Sequence, residues 1–536
     1  MIFNELEQKY QLSRYSVVAK NGMVCSSSSL ASQAGLEILK KGGNAVDAAI
    51  ATAAVLTVVE PTSNGIGGDA FAIVWMKDKL YGLNASGYSP EEISIEKVKE
   101  QGYEKMPKYG WAPVTVPGQP KAWASLIERF GNLSLSEVLE PAIHYAENGY
   151  AVSPVVSFLW QKYAKKGVTE FKGNPVFDEW FRTFTKDGEP YTFAEVPVLK
   201  NHAKALRLIG ETNADAFYHG EIADQIDKQS RRDGGFIRKK DLEEYDVQWV
   251  DPISMNYRGY DVWEIPPNGQ GIVTLIALNI LKNFEFESRE DIETYHKQFE
   301  AVKIAFADAQ AIVTDPQQMK VDYNYYLSDE YGKKRAKEIC DHAVEPRPID
   351  EHKSGTVYLC AADKAGNMIS YIQSNYMDFG SGIVVEGYGI ALQNRGYDFS
   401  LDKNHVNALM PRKRSYHTII PGFLTKDNKP IGPFGVMGGY MQPQGHIQVM
   451  MNLLDFHMNP QSCLDAPRWQ WKEHLRFDVE PDFDPLKVQE LIDRGHVIQV
   501  AENKFSFGRG QMILRLDNGI FVGATESRTD GSVACY

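Results

Sequence analysis

The chain has 536 residues, 43% apolar and 24% charged, a composition typical of a globular protein with a large core. Its formal net charge of −13 argues against a nucleic-acid or anionic-membrane partner, since both require a basic surface. Five scattered cysteines without a CxxC pair argue against a disulfide framework or a zinc site and favour a reducing compartment. The acidic N-terminus has no signal-peptide pattern, and the longest apolar stretch, 45–59, is short for a membrane span. We therefore expect a cytoplasmic protein.

The first predicted elements are two helices joined at a glycine pair. A helix over 29–41 ends at Gly42 and Gly43, and Asn44 caps a second helix over 45–59 with Asp47 in its first turn. This second helix is apolar on all sides, which predicts burial in the core. The loop 64–69 that follows contains a GxGG sequence, but it leads into a strand rather than a helix, so we reject nucleotide binding.

The middle of the chain is predicted to be largely helical. Helices are expected over 217–231 and 272–281, and an apolar stripe with spacings of three and four residues predicts a long helix over 295–313. Residues 330–354 are charged and contain prolines, which is typical of an exposed segment.

A short hairpin follows this segment, with strands over 355–362 and 368–372. Its small, β-branched and aromatic residues suit a strand covered on both faces. Thr356 opens the first strand behind Gly355. If the bond between them were cut, the Thr356 hydroxyl would lie beside its own α-amine, a base with an unperturbed pKa of roughly 7.7–8.0. On spacing alone, an ordinary strand-forming threonine remains the favoured interpretation.

Strands dominate the remaining sequence. They are predicted over 419–424, 435–437, 511–516 and 520–524, and Gly438 and Gly439 open a helix that extends to about residue 457. Strands near both ends of the chain, with helices between them, favour stacked sheets covered by helical layers.

Several motifs, taken together and in order, resemble the γ-glutamyltransferase family. They are Glu60-Pro61, Gly65-Ile66-Gly67-Gly68, Val116-Pro117-Gly118, Pro141-Ala142-Ile143, Pro266-Pro267, Glu300-Ala301, Ala305-Phe306-Ala307-Asp308, Asp398-Phe399-Ser400, Gly438-Gly439 and the segment around Thr356. Each motif is modest alone, but their joint order over most of the chain is specific.

The resemblance implies an α+β fold of the N-terminal-nucleophile hydrolase type, a four-layer αββα sandwich. It also implies a precursor that cuts itself before Thr356, giving a large chain of residues 1–355 and a small chain of residues 356–536. These chains would be interwoven in one domain, and a dimer of such two-chain units is left open. The resemblance reverses the interpretation of Thr356 as an ordinary strand residue.

The resemblance also implies the catalytic residues. Thr356 would be the nucleophile and its freed amine the base. Ser374 falls where the family has a second threonine that orients them, and it keeps the hydroxyl. Gly438 and Gly439 match the glycines whose N–H groups form the oxyanion hole, which agrees with their position between a strand and a helix N-terminus. Asp398 matches the acidic residue that receives the substrate's α-amino group.

The chain departs from the family in the substrate site. The family's carboxylate-binding arginine is absent and should fall near Ser86, and the pair of serines that assists it appears as His417 and Thr418. An asparagine of the donor site appears as Tyr376, beside Asn375, so we include both in the substrate-binding set.

A glutamine of the family is replaced by Arg395. We expect Arg395 to supply the positive charge that binds a substrate carboxylate from a new direction. His417 is a second candidate source of this charge, since an imidazole can titrate near neutrality. A solvated surface arginine is the alternative.

The leading interpretation is a self-processed amidohydrolase that acts on a small-molecule amide and needs neither a metal nor an organic cofactor. This pattern is closer to the acylase and amidohydrolase branch (cephalosporin acylases, oxamate amidohydrolase) than to glutathione-cleaving enzymes. Two alternatives stay open: a true γ-glutamyl transpeptidase or glutathione hydrolase, and an unprocessed, non-catalytic member.

Glycylglycine distinguishes a transpeptidase from a hydrolase. An amino acceptor accelerates turnover only when it replaces water in the attack on the acyl-enzyme. We expect glycylglycine to leave the turnover of a γ-glutamyl anilide unchanged, as measured by release of the coloured aniline. Acceleration would identify a transpeptidase.

Overall fold

The computed structural model describes residues 14–346 and 355–536. Two seven-stranded antiparallel sheets lie face to face. In spatial order, the first sheet contains Val17–Ala19, Phe521–Thr525, Arg509–Arg515, Lys429–Met437, Gly422–Lys426, Tyr260–Glu264 and Ile253–Tyr257. The second sheet contains Ser532–Cys535, Gly22–Ser26, Gly355–Asp363, Met368–Tyr376, Asp69–Met76, Lys79–Ala85 and Gln248–Val250.

The centre of the second sheet is the predicted hairpin, Gly355–Asp363 and Met368–Tyr376, which we call the central hairpin. Every residue of its two strands is buried, because helices cover one face and the first sheet covers the other. Its turn is fixed by Asp363, whose carboxylate accepts the backbone N–H of Ala365 at 2.9 Å, and by Gly366 with a φ of 85°. The predicted hairpin is confirmed.

Helices form the two outer layers. They are Ser29–Lys40, Ala45–Val59, Ile95–Glu100, Gln119–Phe130, Leu135–Asn148, Pro154–Phe171, Asp178–Phe184, Lys200–Glu211, Asp215–Tyr218, Glu221–Arg232, Lys239–Glu243, Gly271–Leu281, Ile292–Ile312, Asp329–Ala336, Met441–Leu454, Pro460–Asp465 and Pro485–Asp493. Small two- and three-stranded sheets lie outside the sandwich, formed by Thr185–Lys186 and Glu189–Pro190, by Val384–Val385 and Ile390–Ala391, and by Trp469–Glu473, Arg476–Val479 and Val497–Val500.

The helix Ala45–Val59 packs on the outer face of the central hairpin and is entirely buried. Asn44 begins this helix as predicted. Its side chain accepts the N–H of Val46 at 2.8 Å, while Asp47 accepts the N–H of Asn44 at 2.7 Å. On the other side of the sandwich, Met441–Leu454 packs against the strand Lys429–Met437.

Three layers of buried apolar side chains separate these four structural layers. The layer between the sheets includes Phe71, Tyr358, Ile372, Phe423 and Ile513. The other two lie between each sheet and its helices. The predicted four-layer αββα sandwich is therefore confirmed. Both sheets contain strands from either side of Gly355, although the division into chains 1–355 and 356–536 stays a prediction.

Two predicted helices have different bounds in the structure. The helix predicted over 217–231 is two helices, Asp215–Tyr218 and Glu221–Arg232, with Gly220 between them. The helix predicted from residue 438 begins only at Met441, which leaves both preceding glycines in a loop. The predicted exposed segment, 330–354, begins within the helix Asp329–Ala336. Residues 347–354 of this segment lie outside the described part of the chain.

All five cysteines lie in the described ranges, and all are free thiols. In those same ranges, the structure contains no helix with both the length and the apolar character that a bilayer crossing demands. The cytoplasmic location stays a prediction.

Candidate active site

The candidate site is built around the first residues of the central hairpin. Thr356 is fully buried, and Ser374 lies on the neighbouring strand. Thr356 Oγ1 lies 2.7 Å from the carbonyl oxygen of Gly355 and 3.1 Å from Ser374 Oγ. Ser374 Oγ donates to the same carbonyl oxygen at 2.7 Å and accepts the N–H of Tyr376 at 2.8 Å. Two hydroxyls therefore meet at the carbonyl group of the Gly355–Thr356 peptide bond.

The glycine loop lies between the strand Lys429–Met437 and the helix Met441–Leu454. Gly438 has a φ of 138° and Gly439 a φ of 61°, a backbone conformation that a residue with a Cβ rarely adopts. Both residues precede the helix, so their N–H groups are not needed by its hydrogen-bond ladder. This is a position where donors to an oxyanion are expected, near the positive end of the helix dipole, and that role stays a prediction.

Two glutamines connect this loop to the rest of the site, and the sequence analysis missed both. Gln442, in the first helical turn, donates to Thr356 Oγ1 at 3.4 Å and accepts the N–H of Ile420 at 2.9 Å. Gln270 donates to the carbonyl oxygens of Gly439 at 2.8 Å and Thr418 at 2.6 Å. Their only sequence signal was proximity to a glycine turn, which does not reveal partners so distant in the chain.

Arg395 and Asp398 share a short 3₁₀ helix, Arg395–Asp398, in which residues three apart lie on the same side. Arg395 Nη1 donates to Thr418 Oγ1 at 2.8 Å and lies 3.6 Å from Asp398 Oδ2. The guanidinium carbon is 3.9 Å from the ring centre of Tyr376, whose hydroxyl donates to Asp398 Oδ1 at 2.5 Å. The structure therefore brings four predicted substrate-site residues into direct contact.

The Arg395 guanidinium is fully buried, so the surface-arginine alternative is wrong. Its Nε and Nη2 atoms have no hydrogen-bond partner among the described residues. Burial lowers the pKa of Arg395 from its usual value, while Asp398 and Asp69 oppose that shift. Two unused donors on a buried cation favour an anionic ligand, because an unsatisfied buried donor costs about 1–3 kcal/mol.

A second buried pair, Asp69 and His417, lies beside this arginine. Asp69 is the register partner of Ser374 in the second sheet. Asp69 Oδ1 accepts the N–H of Gly87 at 3.1 Å and the Nε2 of Gln393 at 2.8 Å, and His417 Nε2 lies 3.0 Å from Asp69 Oδ2. The pair joins the edge of the central hairpin to the segments that carry Arg395 and Thr418.

The ionisation of this pair corrects one expectation. Burial raises the pKa of Asp69 to about 7, against the opposing effect of Arg395. Burial first, and then the charge of Arg395, lower the pKa of His417 well below 6.5. The predicted positive charge on His417 is therefore wrong: its imidazole is neutral at pH 7. Only the arginine supplies the positive charge expected of the two residues.

Two further positions from the sequence analysis lie close to the site. The Asn375 side chain is buried without a hydrogen-bond partner among the described residues. A Cβ placed on Gly65 would lie 2.8 Å from Asn375 Nδ2, which explains why that loop needs glycine there. Ser86, near which the resemblance would place the family's arginine, donates to Asn84 Oδ1 at 2.6 Å and contacts Asn268.

The four-layer sandwich, with Thr356 at the start of a central strand, defines the class of N-terminal-nucleophile hydrolases. The family model for gamma-glutamyltranspeptidase matches residues 31–536, so the chain belongs to the γ-glutamyltranspeptidase family and is an enzyme of the hydrolase or transferase type.

Curated relatives resemble the chain along nearly its whole length. The glutathione hydrolase-like YwrD proenzyme of Bacillus subtilis is 37% identical over 532 residues, covering 96% of this chain and 99% of the relative. The oxamate amidohydrolase proenzyme of Klebsiella pneumoniae is 31% identical over 534 residues, covering 97% and 99%. Among solved structures, the cephalosporin acylase from Bacillus halodurans is 55% identical, with a TM-score of 0.96 and coverage of 100% and 99%. These matches confirm the resemblance to the family, while the role of each site residue stays a prediction.

The neutral His417 generates a test of acid stability. Below pH 6.5 the unfolded chain protonates this imidazole but the folded chain does not, so this one group contributes about 1.4 kcal/mol per pH unit in favour of unfolding. Asp69, whose pKa is raised to about 7, contributes in the opposite direction and is present in both the wild type and the His417 variant. We expect the melting temperature of His417→Gln to fall less than that of the wild type between pH 6.5 and about pH 5.

The exposed His144 provides the control, and His144→Gln should follow the wild-type pH dependence. Differential scanning fluorimetry of the three proteins measures the effect. Parallel curves for the wild type and His417→Gln would contradict a neutral, buried His417.

Proposed function

We propose that this protein is a proenzyme that breaks its own Gly355–Thr356 bond and then hydrolyses an amide of a small, carboxylate-bearing acyl group. The observation that carries the proposal is the meeting of the Thr356 and Ser374 hydroxyls at the Gly355 carbonyl oxygen. Relatives whose names include "proenzyme", "amidohydrolase" and "acylase" support it.

In the proposed self-cleavage, Thr356 Oγ1 attacks the carbonyl carbon of Gly355. The hydrogen bond from Ser374 stabilises negative charge on the carbonyl oxygen, and Gln442 orients the attacking hydroxyl. The C–N bond breaks as the C–O bond forms, and the hydroxyl proton passes to the departing nitrogen. Water then hydrolyses the ester, which leaves a carboxylate on Gly355 and a free α-amine on Thr356.

In the proposed amide hydrolysis, the freed α-amine takes the proton from Thr356 Oγ1 as that oxygen attacks the substrate carbonyl. The N–H groups of Gly438 and Gly439 stabilise the oxyanion, and the loss of one such donor typically costs about 2.7–4 kcal/mol. The amine passes its proton to the leaving nitrogen. Water then hydrolyses the acyl-enzyme and regenerates Thr356.

The proposed acyl group carries a carboxylate because Arg395 has two unused donors in a buried space. Thr418 and the ring of Tyr376 hold the guanidinium in place, so its remaining N–H groups are already oriented. Asp398, next to the arginine, would accept a hydrogen bond from an amino group on the same acyl group. The preorganised fork suits a carboxylate, which it can bind through two parallel hydrogen bonds.

The first test concerns processing. We expect the purified wild type to show two bands on denaturing electrophoresis and Thr356→Ala a single intact band, because alanine has no attacking oxygen. Ser374→Ala should slow the self-cleavage by up to about tenfold, because it loses the hydrogen bond to the negative charge that develops on the Gly355 carbonyl oxygen.

Thr356→Ser, which keeps the hydroxyl, is the matched control and should still give two bands. N-terminal sequencing of the smaller wild-type band should give a sequence that begins at Thr356. An intact wild-type band after prolonged incubation would favour the non-catalytic alternative.

The second test concerns the acyl group. Arg395→Ala should lower kcat/KM for a glutaryl anilide by about tenfold to a hundredfold, because a hydrogen bond to a charged group contributes about 1.5–3 kcal/mol. The same change should have a much smaller effect on the butyryl anilide, which lacks the carboxylate.

Arg395→Lys keeps the charge without the planar fork, so its kcat/KM for the glutaryl anilide should lie between those of the wild type and Arg395→Ala. Self-cleavage of each variant serves as the check that it folds. An equal loss on both anilides would remove Arg395 from carboxylate recognition.

A further inference from the structure

A wide cleft opens beside the candidate site, between the C-terminal end of the helix Ile292–Ile312 and the loop 403–413. Its volume is about 890 Å³, and its lining includes Gln310, Lys320, Lys403, His405 and Lys413. Ligand-binding pockets typically have volumes of about 300–1,000 Å³, so the cleft has room for a group larger than a single amino acid.

The cleft is basic, although the chain as a whole carries a net charge of −13. Three lysines and no carboxylate belong to the described residues that line it. Lys320 is exposed and forms no ion pair with a described residue, whereas Lys403 Nζ lies 2.6 Å from a carboxylate oxygen of Glu96, which does not line the cleft. Lys413 is buried and donates to the carbonyl oxygen of Ala408 at 2.9 Å, which fixes its position in the loop.

The cleft adjoins a second cavity that touches the candidate active site. Gln310 and His405 also line a narrow cavity of about 20 Å³ whose other walls include Asp398, Tyr416 and Tyr440. Tyr440 directly follows the Gly438–Gly439 loop. A substrate that reaches the glycine loop through this opening therefore leaves its outer part in the basic cleft.

The two halves of the substrate differ in the space available to them. Arg395, Tyr376 and Thr418 are fully buried, so the proposed acyl group that contacts them must be small. The other half, attached through the scissile nitrogen, must extend toward solvent, and the wide cleft is an opening on the Asp398 side.

We propose that the cleft binds the leaving-amine half of the substrate and selects amines that carry a negative charge. This inference rests on the proposed amide hydrolysis and adds the chemical class of the leaving group to it. The charge would act mainly on substrate capture, since exposed lysines attract anions through a screened field.

A matched pair of anilides tests the proposal: the 4-nitroanilide and the 3-carboxy-4-nitroanilide of one acyl group that the processed enzyme accepts. They differ by one carboxylate on the leaving group. In Lys320→Gln/Lys403→Gln, the ratio of the KM for the carboxylated anilide to the KM for the neutral anilide should rise by about threefold to tenfold. Added salt should shrink this difference between wild type and variant.

Lys333→Gln/Lys334→Gln removes two exposed lysines of the helix Asp329–Ala336, which do not line the cleft, and its KM ratio should match the wild type. An unchanged ratio in the cleft variant, or an equal change in the control variant, would overturn the proposal. If the processed wild type hydrolyses neither anilide with any acyl group, the proposed function itself fails, and this inference fails with it.

Discussion

Burial of the central hairpin is the constraint on which the candidate site depends. Both strands, Gly355–Asp363 and Met368–Tyr376, lie between a helical layer and the opposite sheet, so none of their side chains can move into solvent. The register shifts between Gly355 and Val357, and this irregularity lies at Thr356. A β-bulge re-aims the side chain next to it, and here the hydroxyl lies against the preceding carbonyl oxygen. The fold thus holds the Thr356 hydroxyl against the Gly355 carbonyl group, which is the arrangement that the proposed self-cleavage requires.

The same burial makes an unpaired charge strongly unfavourable, which explains why carboxylates lie near Arg395. An isolated buried guanidinium would be strongly destabilising, and Asp398 and Asp69 reduce that cost from two sides. Neither carboxylate accepts a hydrogen bond from Nε or Nη2 of Arg395, so these two donors remain for a ligand. Asp69 itself is at the edge of ionisation, with a pKa of about 7. The local charge near neutrality therefore depends on a group that would not bind the substrate directly, and a bound carboxylate would further favour the protonated form of Asp69.

Local sequence patterns predicted the parts of the structure that depend on neighbouring residues. The Asn44 cap and the central hairpin follow from short-range chemistry, and the structure contains both. The pairing of Asp69 with His417 spans 348 positions, and no local pattern predicts it. His417 was expected to be charged because its type titrates near neutrality, but burial by distant elements decided its state. Gln270 and Gln442 were missed for the same reason.

The departures from the family pattern are connected by direct contacts, which suggests one compensated change instead of several independent ones. Ser86, near the position expected for the family's arginine, forms hydrogen bonds with Asn84 and Asn268 and supplies no charge. The cation stands instead at Arg395, and the residues that hold it are themselves departures: Thr418 accepts its hydrogen bond and Tyr376 covers its face. A family-like glutamine at position 395 would remove the guanidinium that Thr418 and Tyr376 contact. Recovering the usual carboxylate site would therefore require changing these positions together, because residues in one contact network do not contribute additively.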